Sequence, residues 1–165
     1  RAREEVRTAL AGREPGADDL PALPWLTATL KEAMRLYPPV AALMTRRTTR
    51  AIEVGGWAIP KGALIRVTPW VLQRDARSFD APDEFRPERF LPGAPSVPRG
   101  AWMPFGTGPR VCLGQHFAML EMTLVAALML QRFAWALPAG TGPCVPVMNV
   151  TLRPRDGLWL DLRRL

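Results

Sequence analysis

The amino-acid sequence predicts a mainly α fold with small β-sheets, an α+β arrangement. Segments 26–36 and 113–137 predict helices, the first from apolar residues at helical spacing and the second from apolar residues on nearly every side. Between them, residues 51–68 carry short alternating runs separated by Gly-Gly and Pro-Lys-Gly turns, which indicates strands. With 165 residues, 48% of them hydrophobic, the chain can form one domain with a sizeable core.

The first half of the chain supplies these elements in a clear order. Residues 1–12 predict the end of an amphipathic helix that Gly12 closes. Helix 26–36 ends before Pro38-Pro39, because proline disfavours the helical conformation of the residue that precedes it. Three strands are then predicted at 51–54, 57–59 and 63–68, and one short helix at 70–75.

The second half begins with a long segment that lacks any regular pattern. Residues 78–111 are dense in Pro, Gly and Arg, and segments of this length without secondary structure are usually functional or disordered. Aromatic residues within it, among them Phe85, Phe90, Trp102 and Phe105, favour an ordered segment folded around another group. Helix 113–137 is expected to be the longest and to be buried, and strands 145–152 and 158–162 are expected around a turn at 155–157.

The charge balance and the cysteine count exclude several classes of protein. The net charge is +7, but the arginines are scattered, so a nucleic-acid interface is not indicated. Cys112 and Cys144 form no C-x-x-C pair and have no neighbouring zinc ligands, which argues against a disulfide scaffold or a zinc site. The apolar run 117–130 is shorter than the roughly 20 residues that a membrane span needs.

The chemistry-bearing motif is F-x-x-G-x-R-x-C-x-G at 105–114. Gly106 allows a tight turn and close approach of a flat ligand, and Arg110 offers a planar fork for a carboxylate. Cys112 stands where a helix begins, so backbone N–H groups and the helix dipole can stabilise its thiolate. Gly114 removes a side chain beside the sulfur. A buried, inert cysteine is the ordinary alternative, but five matched positions favour function.

Two further motifs precede this loop. Glu32 and Arg35 are three residues apart on one helix face, which alone would suggest a surface ion pair contributing about 0.3 kcal/mol. Arg89 lies in a Phe-Arg-Pro-Glu-Arg-Phe segment, 85–90, and can complete a Glu–Arg–Arg network.

Together and in this order, the three motifs resemble the C-terminal part of the cytochrome P450 family, the haem-thiolate monooxygenases. The resemblance runs from about residue 20 to the end, with a weaker fit over the first helix. The chain begins inside a helix-like stretch without an initiator Met. We therefore expect residues 1–165 to be the C-terminal portion of a single cytochrome P450 domain, with the oxygen-activating helix upstream and little activity in this portion alone.

The resemblance implies a role for each matched residue. Cys112 is implied to be the catalytic axial ligand of the haem iron, with Phe105 packed beside the thiolate. Arg110 and Arg46 are implied to pair with the haem propionates, with Arg47 as the alternative to Arg46.

Further positions are implied to support the cofactor and the substrate. Gly106 and Gly114 belong to the cofactor-binding loop, which Glu32, Arg35 and Arg89 are implied to hold in place. The substrate pocket is implied to be lined by Val40, Ala41, Ala42, Leu43, Val147 and Met148, with Met44 adjoining. The family often has His before Arg-Asp at the position of Gln73, whose amide can still donate a hydrogen bond.

The implied reaction inserts one oxygen atom of O2 into an apolar organic substrate. Haem b, iron protoporphyrin IX, is the expected cofactor, and electrons are expected from NAD(P)H through a ferredoxin, a flavodoxin or a flavoprotein reductase. A peroxide-using or rearranging haem-thiolate enzyme, and a non-catalytic basic module that binds nucleic acid or an acidic protein, stand as alternatives. Arg- and Ala-rich usage predicts a bacterial, cytoplasmic protein, with an upstream anchor left open.

Overall fold

The computed structural model describes residues 1–42 and 44–165, so that Leu43 of the predicted substrate pocket lies outside the described residues. Four α-helices are present in this part of the chain: α1 (Ala2–Leu10), α2 (Pro24–Leu36), α3 (Pro69–Leu72) and α4 (Gln115–Arg132). Eight strands accompany them: β1 (Met44–Arg47), β2 (Ile52–Val54), β3 (Trp57–Ile59), β4 (Leu64–Val67), β5 (Phe133–Ala136), β6 (Pro146–Met148), β7 (Leu152–Pro154) and β8 (Asp161–Arg164).

The apolar core lies where α1, α2 and α4 meet. Its fully or nearly fully buried members are Val6, Leu10, Leu23, Leu26 and Ala127. These side chains share one face of each helix, so the burial of one apolar stripe holds the three helices together. α1 ends at Leu10, before the predicted Gly12, because Ala11 already adopts the left-handed conformation with a φ of 48°, and Gly12 follows with a φ of 87°.

The strands of the described residues form four separate two-stranded antiparallel sheets. β2 and β3 form the hairpin that the sequence predicts, joined through Gly55-Gly56 with φ values of 56° and 83°. β1 pairs with β4, which places Arg46 opposite Ile65. β6 pairs with β7, and β5 pairs with β8, which joins the end of α4 to the C-terminal strand.

Two sequence predictions for the C-terminal third are wrong. The helix predicted over 113–137 spans Gln115–Arg132, because Phe133 turns to extended geometry and begins β5. The strands predicted at 145–152 and 158–162 were expected around a turn at 155–157, but β6 folds back onto β7 across 149–151. β8 pairs instead with β5, about 28 residues earlier in the chain, so this sheet depends on a long-range contact that local patterning does not encode.

α4 is buried on one side only within the described residues. Thr123 and Ala127 are its buried positions, whereas Phe117 and Val125 are 68% and 54% exposed. α1 and α2 cover one side of this helix only, which leaves its other apolar side uncovered. Within residues 1–42 and 44–165, no helix combines the length and apolar character that crossing a bilayer requires.

The segment 78–111 contains no α-helix and no strand, in agreement with the prediction. It includes two short 3₁₀ turns, Pro87–Phe90 and Gly108–Arg110. The second of these turns lies within residues 105–114, which are called the cysteine loop below.

Candidate functional site

The cysteine loop contains the second 3₁₀ turn and leads into α4. The backbone N–H of Cys112 donates to the carbonyl of Phe105 at 2.9 Å, which closes the loop on itself. Gly106 and Gly108 have φ values of 79° and 71°, a left-handed conformation that glycine adopts without strain. The thiol of Cys112 is exposed, three residues before the first residue of α4.

A cavity of about 270 Å³ lies directly beside this thiol. It is lined by Pro39, Val40, Arg46, Pro104, Phe105, Gly106, Arg110 and Cys112. The cavity therefore brings together the cysteine, two guanidinium groups and apolar walls, and all but one of the predicted cofactor-binding residues contribute to it.

Arg46 and its neighbour Arg47 differ in what they face. Arg46 lines the cavity, whereas Arg47 donates from Nη1 to the carbonyl of Gly62 at 2.9 Å. Neither Arg46 nor Arg110 forms an ion pair with another residue of the described chain. Arg46 Nη1 donates to the carbonyl of Thr45 at 2.9 Å, but neither guanidinium group has a carboxylate partner, so both keep their charge available to an anionic ligand.

Gly114 is the predicted cofactor-binding residue that does not line the cavity. A Cβ atom built on it would meet no protein atom within 4 Å. Its φ of −85° lies in a region open to other residues, so the backbone conformation does not require glycine. The bare position instead leaves open space beside the cysteine loop.

A buried ion pair lies behind the loop, on α2. Arg35 donates from Nε to Glu32 Oε2 at 2.7 Å and from Nη2 to Glu32 Oε1 at 2.9 Å. Both side chains have 0% exposure. The pair is therefore not the surface contact that its spacing alone would suggest.

The remaining hydrogen-bonding capacity of the pair ties α2 to the segment that follows α3. Arg35 also donates to the carbonyls of Gln73, Pro82 and Glu84, at 2.8, 2.6 and 2.9 Å. Glu32 Oε1 accepts from the backbone N–H of Arg86 at 2.8 Å and from Arg89 Nε at 3.4 Å. The predicted Glu32, Arg35 and Arg89 are thus brought into one network.

Two residues outside the predicted set connect α2 to the start of the cysteine loop. The buried Gln73 amide donates to carbonyls at the end of α2 and accepts from the backbone N–H of Met103 at 2.7 Å. Trp102 donates from Nε1 to the carbonyl of Lys31 at 3.1 Å, and its ring packs against Phe90. The sequence signal for Gln73 is a polar residue directly after the short apolar helix α3.

The predicted substrate-pocket residues divide between two places. Val40 lines the cavity beside Cys112, and a second cavity of about 240 Å³ is lined by Ala41, Ala42, Thr68, Trp70, Pro146, Met148 and Leu152. The backbone N–H of Leu152 donates to the carbonyl of Pro39 at 2.8 Å, which joins the β6–β7 hairpin to the segment after α2. Val147 lines neither cavity.

Charged groups next to Gln73 are fixed at the surface. Hydrogen bonds from the side chain and the backbone of Arg77 lower the pKa of Asp75 to about 2. Burial lowers the pKa of Arg74 from its ordinary value, and the guanidinium lies 3.7 Å from the centre of the Trp70 ring. These contacts anchor the chain directly after Gln73.

Comparisons with known proteins agree with this arrangement. The family model described as Cytochrome P450 matches residues 1–160, so the similarity includes α1, where the sequence motifs showed only a weak fit. Ent-cassadiene C11-alpha-hydroxylase 1 of Oryza sativa subsp. japonica is 42% identical over 85% of this chain and 29% of its own length. Cyclooctatin synthase of Streptomyces melanosporofaciens is 40% identical over 94% of this chain and 32% of its own length.

Solved structures share the fold as well. The retinoic acid-bound cyanobacterial CYP120A1 superposes with a TM-score of 0.91 at 34% identity, over 99% of this chain and 38% of that one. A zebra fish cytochrome P450 with abiraterone gives a TM-score of 0.87 at 30% identity, over 99% and 39% of the two chains. The chain thus spans about a third of the length of the curated relatives described here. From its motifs, its fold and these similarities, the chain belongs to the cytochrome P450 family.

Proposed function

We propose that the protein carrying this chain is a haem-thiolate monooxygenase, with Cys112 as the axial ligand of the haem iron. In the overall reaction one oxygen atom of O2 enters a C–H bond of the substrate, and the other leaves as water with two electrons and two protons. The observation that carries the proposal is the exposed Cys112 thiol in a cavity shared with Arg46 and Arg110.

The residues around this cavity fit a haem group by their chemistry. A thiolate is a suitable ligand for iron, and the two guanidinium groups suit the two carboxylates of a haem. The apolar lining, which includes Phe105 and Val40, suits a flat hydrocarbon ring system. The absence of a side chain at Gly114 leaves open space next to the loop.

Bound haem would supply the activation of dioxygen, and the protein side chains control its surroundings. The hydrogen bond from Cys112 N–H to the carbonyl of Phe105 fixes the loop that carries the thiol. Arg46 and Arg110 would orient the carboxylates, and Phe105 would pack beside the sulfur in the same cavity.

The substrate in this proposal is an apolar organic molecule. Val40 lines the cysteine cavity, and Ala41, Ala42 and Met148 line the neighbouring one, so both offer mainly apolar contacts. Ent-cassadiene and retinoic acid, which appear in the descriptions of two similar proteins, are also predominantly hydrocarbon. These similarities support the class of substrate and no particular compound.

Electrons would come from NAD(P)H through a ferredoxin, a flavodoxin or a flavoprotein reductase. This part of the proposal rests on family membership. Turnover that proceeds with peroxide, and fails with NAD(P)H and every reductase supplied, would assign the protein to the peroxide-using alternative instead.

The test of the proposal is the substitution Cys112→Ser in the full-length, haem-loaded protein. We expect the ferrous carbon-monoxide complex of the unsubstituted protein to show the absorption band of thiolate-ligated haem, and the variant to lose it. Cys144→Ser is the matched control, because Cys144 is also free and exposed but lies outside both cavities. A Cys112→Ser protein that kept the thiolate-type band would overturn the assignment.

A further inference from the structure

Gln73 joins two parts of the chain through one buried amide. Its Nε2 donates to the carbonyls of Met34 and Arg35 at 3.0 and 2.9 Å, and its Oε1 accepts from Met103 N–H at 2.7 Å. The side chain has 0% exposure, so no water competes for these bonds. Both amide protons and the amide oxygen are therefore committed to the backbone.

The same amide leads by backbone hydrogen bonds to the cysteine. The N–H of Met103 donates to the Gln73 amide oxygen, and the carbonyl of Met103 accepts from Gly106 N–H at 3.0 Å. Phe105, between these two residues, accepts from Cys112 N–H at 2.9 Å. A short and continuous set of contacts thus connects the end of α2 with the backbone of the proposed iron ligand.

We propose that Gln73 is a positioning residue for Cys112. Gln73 holds segment 103–106 and thereby sets the position of the Cys112 sulfur in its cavity. The inference rests on the proposed function of Cys112. Loss of the amide leaves the Met103 N–H without a partner in a buried place, and that penalty is relieved when the segment shifts. A shift of the segment carries the cysteine loop with it.

The chemistry of the amide distinguishes glutamine from other side chains at this position. Methionine has a similar volume but neither donates nor accepts strongly. A neutral histidine has one donor and one acceptor, whereas its protonated form has only donors and cannot accept from Met103 N–H. A histidine at position 73 therefore makes the position of the loop depend on pH, which the glutamine does not.

The charged groups around position 73 determine where such a histidine would titrate. On α2, Arg35 donates to the Gln73 carbonyl and is paired with Glu32. The next two residues are Arg74 and Asp75, and the facing segment 101–105 carries no charged group. Burial and the nearby guanidinium groups disfavour a positive charge on the imidazole. A histidine at position 73 should therefore become protonated below the ordinary histidine pKa of about 6.5.

The test uses the full-length, haem-loaded protein with Gln73→Met and Gln73→His. For Gln73→Met we expect haem release to be at least about tenfold faster, since a buried donor loses its partner. We also expect a reduced share of the thiolate-type carbon-monoxide band and faster hydrogen exchange at the Met103 amide. Gln73→His should keep that band near pH 8 and lose it reversibly below about pH 6, while the unsubstituted protein stays constant.

Gln131→Met is the matched control, since Gln131 also donates an amide proton to a backbone carbonyl, that of Arg13, but on an exposed surface. We expect it to match the unsubstituted protein in all three measurements. A Gln73→Met protein with the thiolate band, haem release and Met103 protection of the unsubstituted protein would overturn the inference, even if it melted earlier. Should that variant fail to fold, a Gln73→His band that is constant with pH would overturn it.

Failure of the proposed function gives a different pattern. In that case the unsubstituted protein and Gln131→Met would themselves lack the thiolate-type band. Protection of the Met103 amide would still depend on Gln73, because that contact does not require haem.

Discussion

The region between α2 and segment 73–89 and the outward side of α4 differ in how many of their interactions are made within the described residues. Between α2 and segment 73–89, Arg35 makes five hydrogen bonds and Glu32 accepts from three residues, with both side chains fully buried. On the outward side of α4, by contrast, Phe117 and Val125 are 68% and 54% exposed. Within the described residues, the buried charges of α2 therefore have all their hydrogen-bond partners, whereas part of the apolar surface of α4 is not covered.

The difference shows which interactions this segment supplies from its own residues. Buried charges are tolerated only when they are paired and hydrogen-bonded, so the network around Arg35 must be complete wherever it is buried. An apolar face carries no such demand for a particular partner, and its stability depends on area covered. The uncovered side of α4 is thus the weaker of the two regions.

The largest expected effect concerns that uncovered face. Residues 1–165 expressed alone should be poorly soluble or molten, bind haem weakly at most and catalyse no hydroxylation, because an exposed apolar patch favours aggregation. Size exclusion and a thermal melt with added haem measure this. A monodisperse, haem-loaded protein that melts cooperatively would contradict the prediction.

A polar variant of the same face sharpens this prediction. Phe117→Ser combined with Val125→Thr should raise the soluble yield of residues 1–165, since both side chains are exposed there. It should not restore a cooperative melt, because replacing exposed apolar side chains with polar ones adds no buried area. A cooperative melt in this variant would show that solubility, rather than missing burial, limits the isolated segment.

The next largest effect belongs to the buried network. Arg35→Ala in the full-length protein should lower the free energy of unfolding by about 3–5 kcal/mol, because the buried Glu32 loses its close partner and keeps an ion pair only with Arg89, at 3.4 Å. We expect this protein to fail to retain haem. Urea unfolding and the haem content of the purified protein measure both consequences.

Arg7→Ala is the control for the ion-pair part of this argument. Arg7 also pairs with a glutamate three residues away, Glu4, but both side chains are exposed. Its removal should leave the free energy of unfolding nearly unchanged, because exposed ion pairs contribute little. A stable, haem-loaded Arg35→Ala protein would mean that the buried pair behaves like this exposed one.

The sequence was a good guide to the site and a weaker guide to the strands. The glycine, arginine and cysteine spacing of 105–114 predicted a loop that does place Phe105, Gly106, Arg110 and Cys112 around one cavity. Such local motifs are informative because the turn and the side chains lie within ten residues. The β5–β8 pair escaped prediction because its partners are far apart in the chain.

The role of Gln73 also could not be predicted from local pattern. Its donors and acceptor reach Met34, Arg35 and Met103, which are about 30 to 39 residues away. The burial of the Glu32–Arg35 pair could not be predicted from local pattern either, because spacing on a helix indicates a shared face but not which residues cover that face. The resemblance to a family, rather than helical spacing, was what favoured a buried network.

Arg89→Ala should have an intermediate effect within the same network. Arg89 contacts Glu32 at 3.4 Å and the carbonyl of Ala81 at 2.8 Å, but Arg35 still neutralises Glu32 when Arg89 is removed. We expect a loss of about 1.5–3 kcal/mol in the free energy of unfolding, the range for hydrogen bonds to charged groups. The same urea series as for Arg35→Ala measures it, and a loss as large as that of Arg35→Ala would contradict this ranking.

The smallest expected effect is a pH dependence at the surface beside Gln73. Hydrogen bonds from Arg77 lower the pKa of Asp75 to about 2 in the folded protein, below its unfolded value of about 3.9. A lowered folded pKa means that the contribution of Asp75 to stability is present above about pH 4 and is lost as the pH falls toward 2. Carboxyl titration by NMR should give the low pKa, and Arg77→Ala should return it toward the ordinary value. Asp75→Asn should flatten this part of the pH profile of stability, and an Asp75 that titrates near its ordinary value in the unsubstituted protein would show that the Arg77 contacts do not persist in solution.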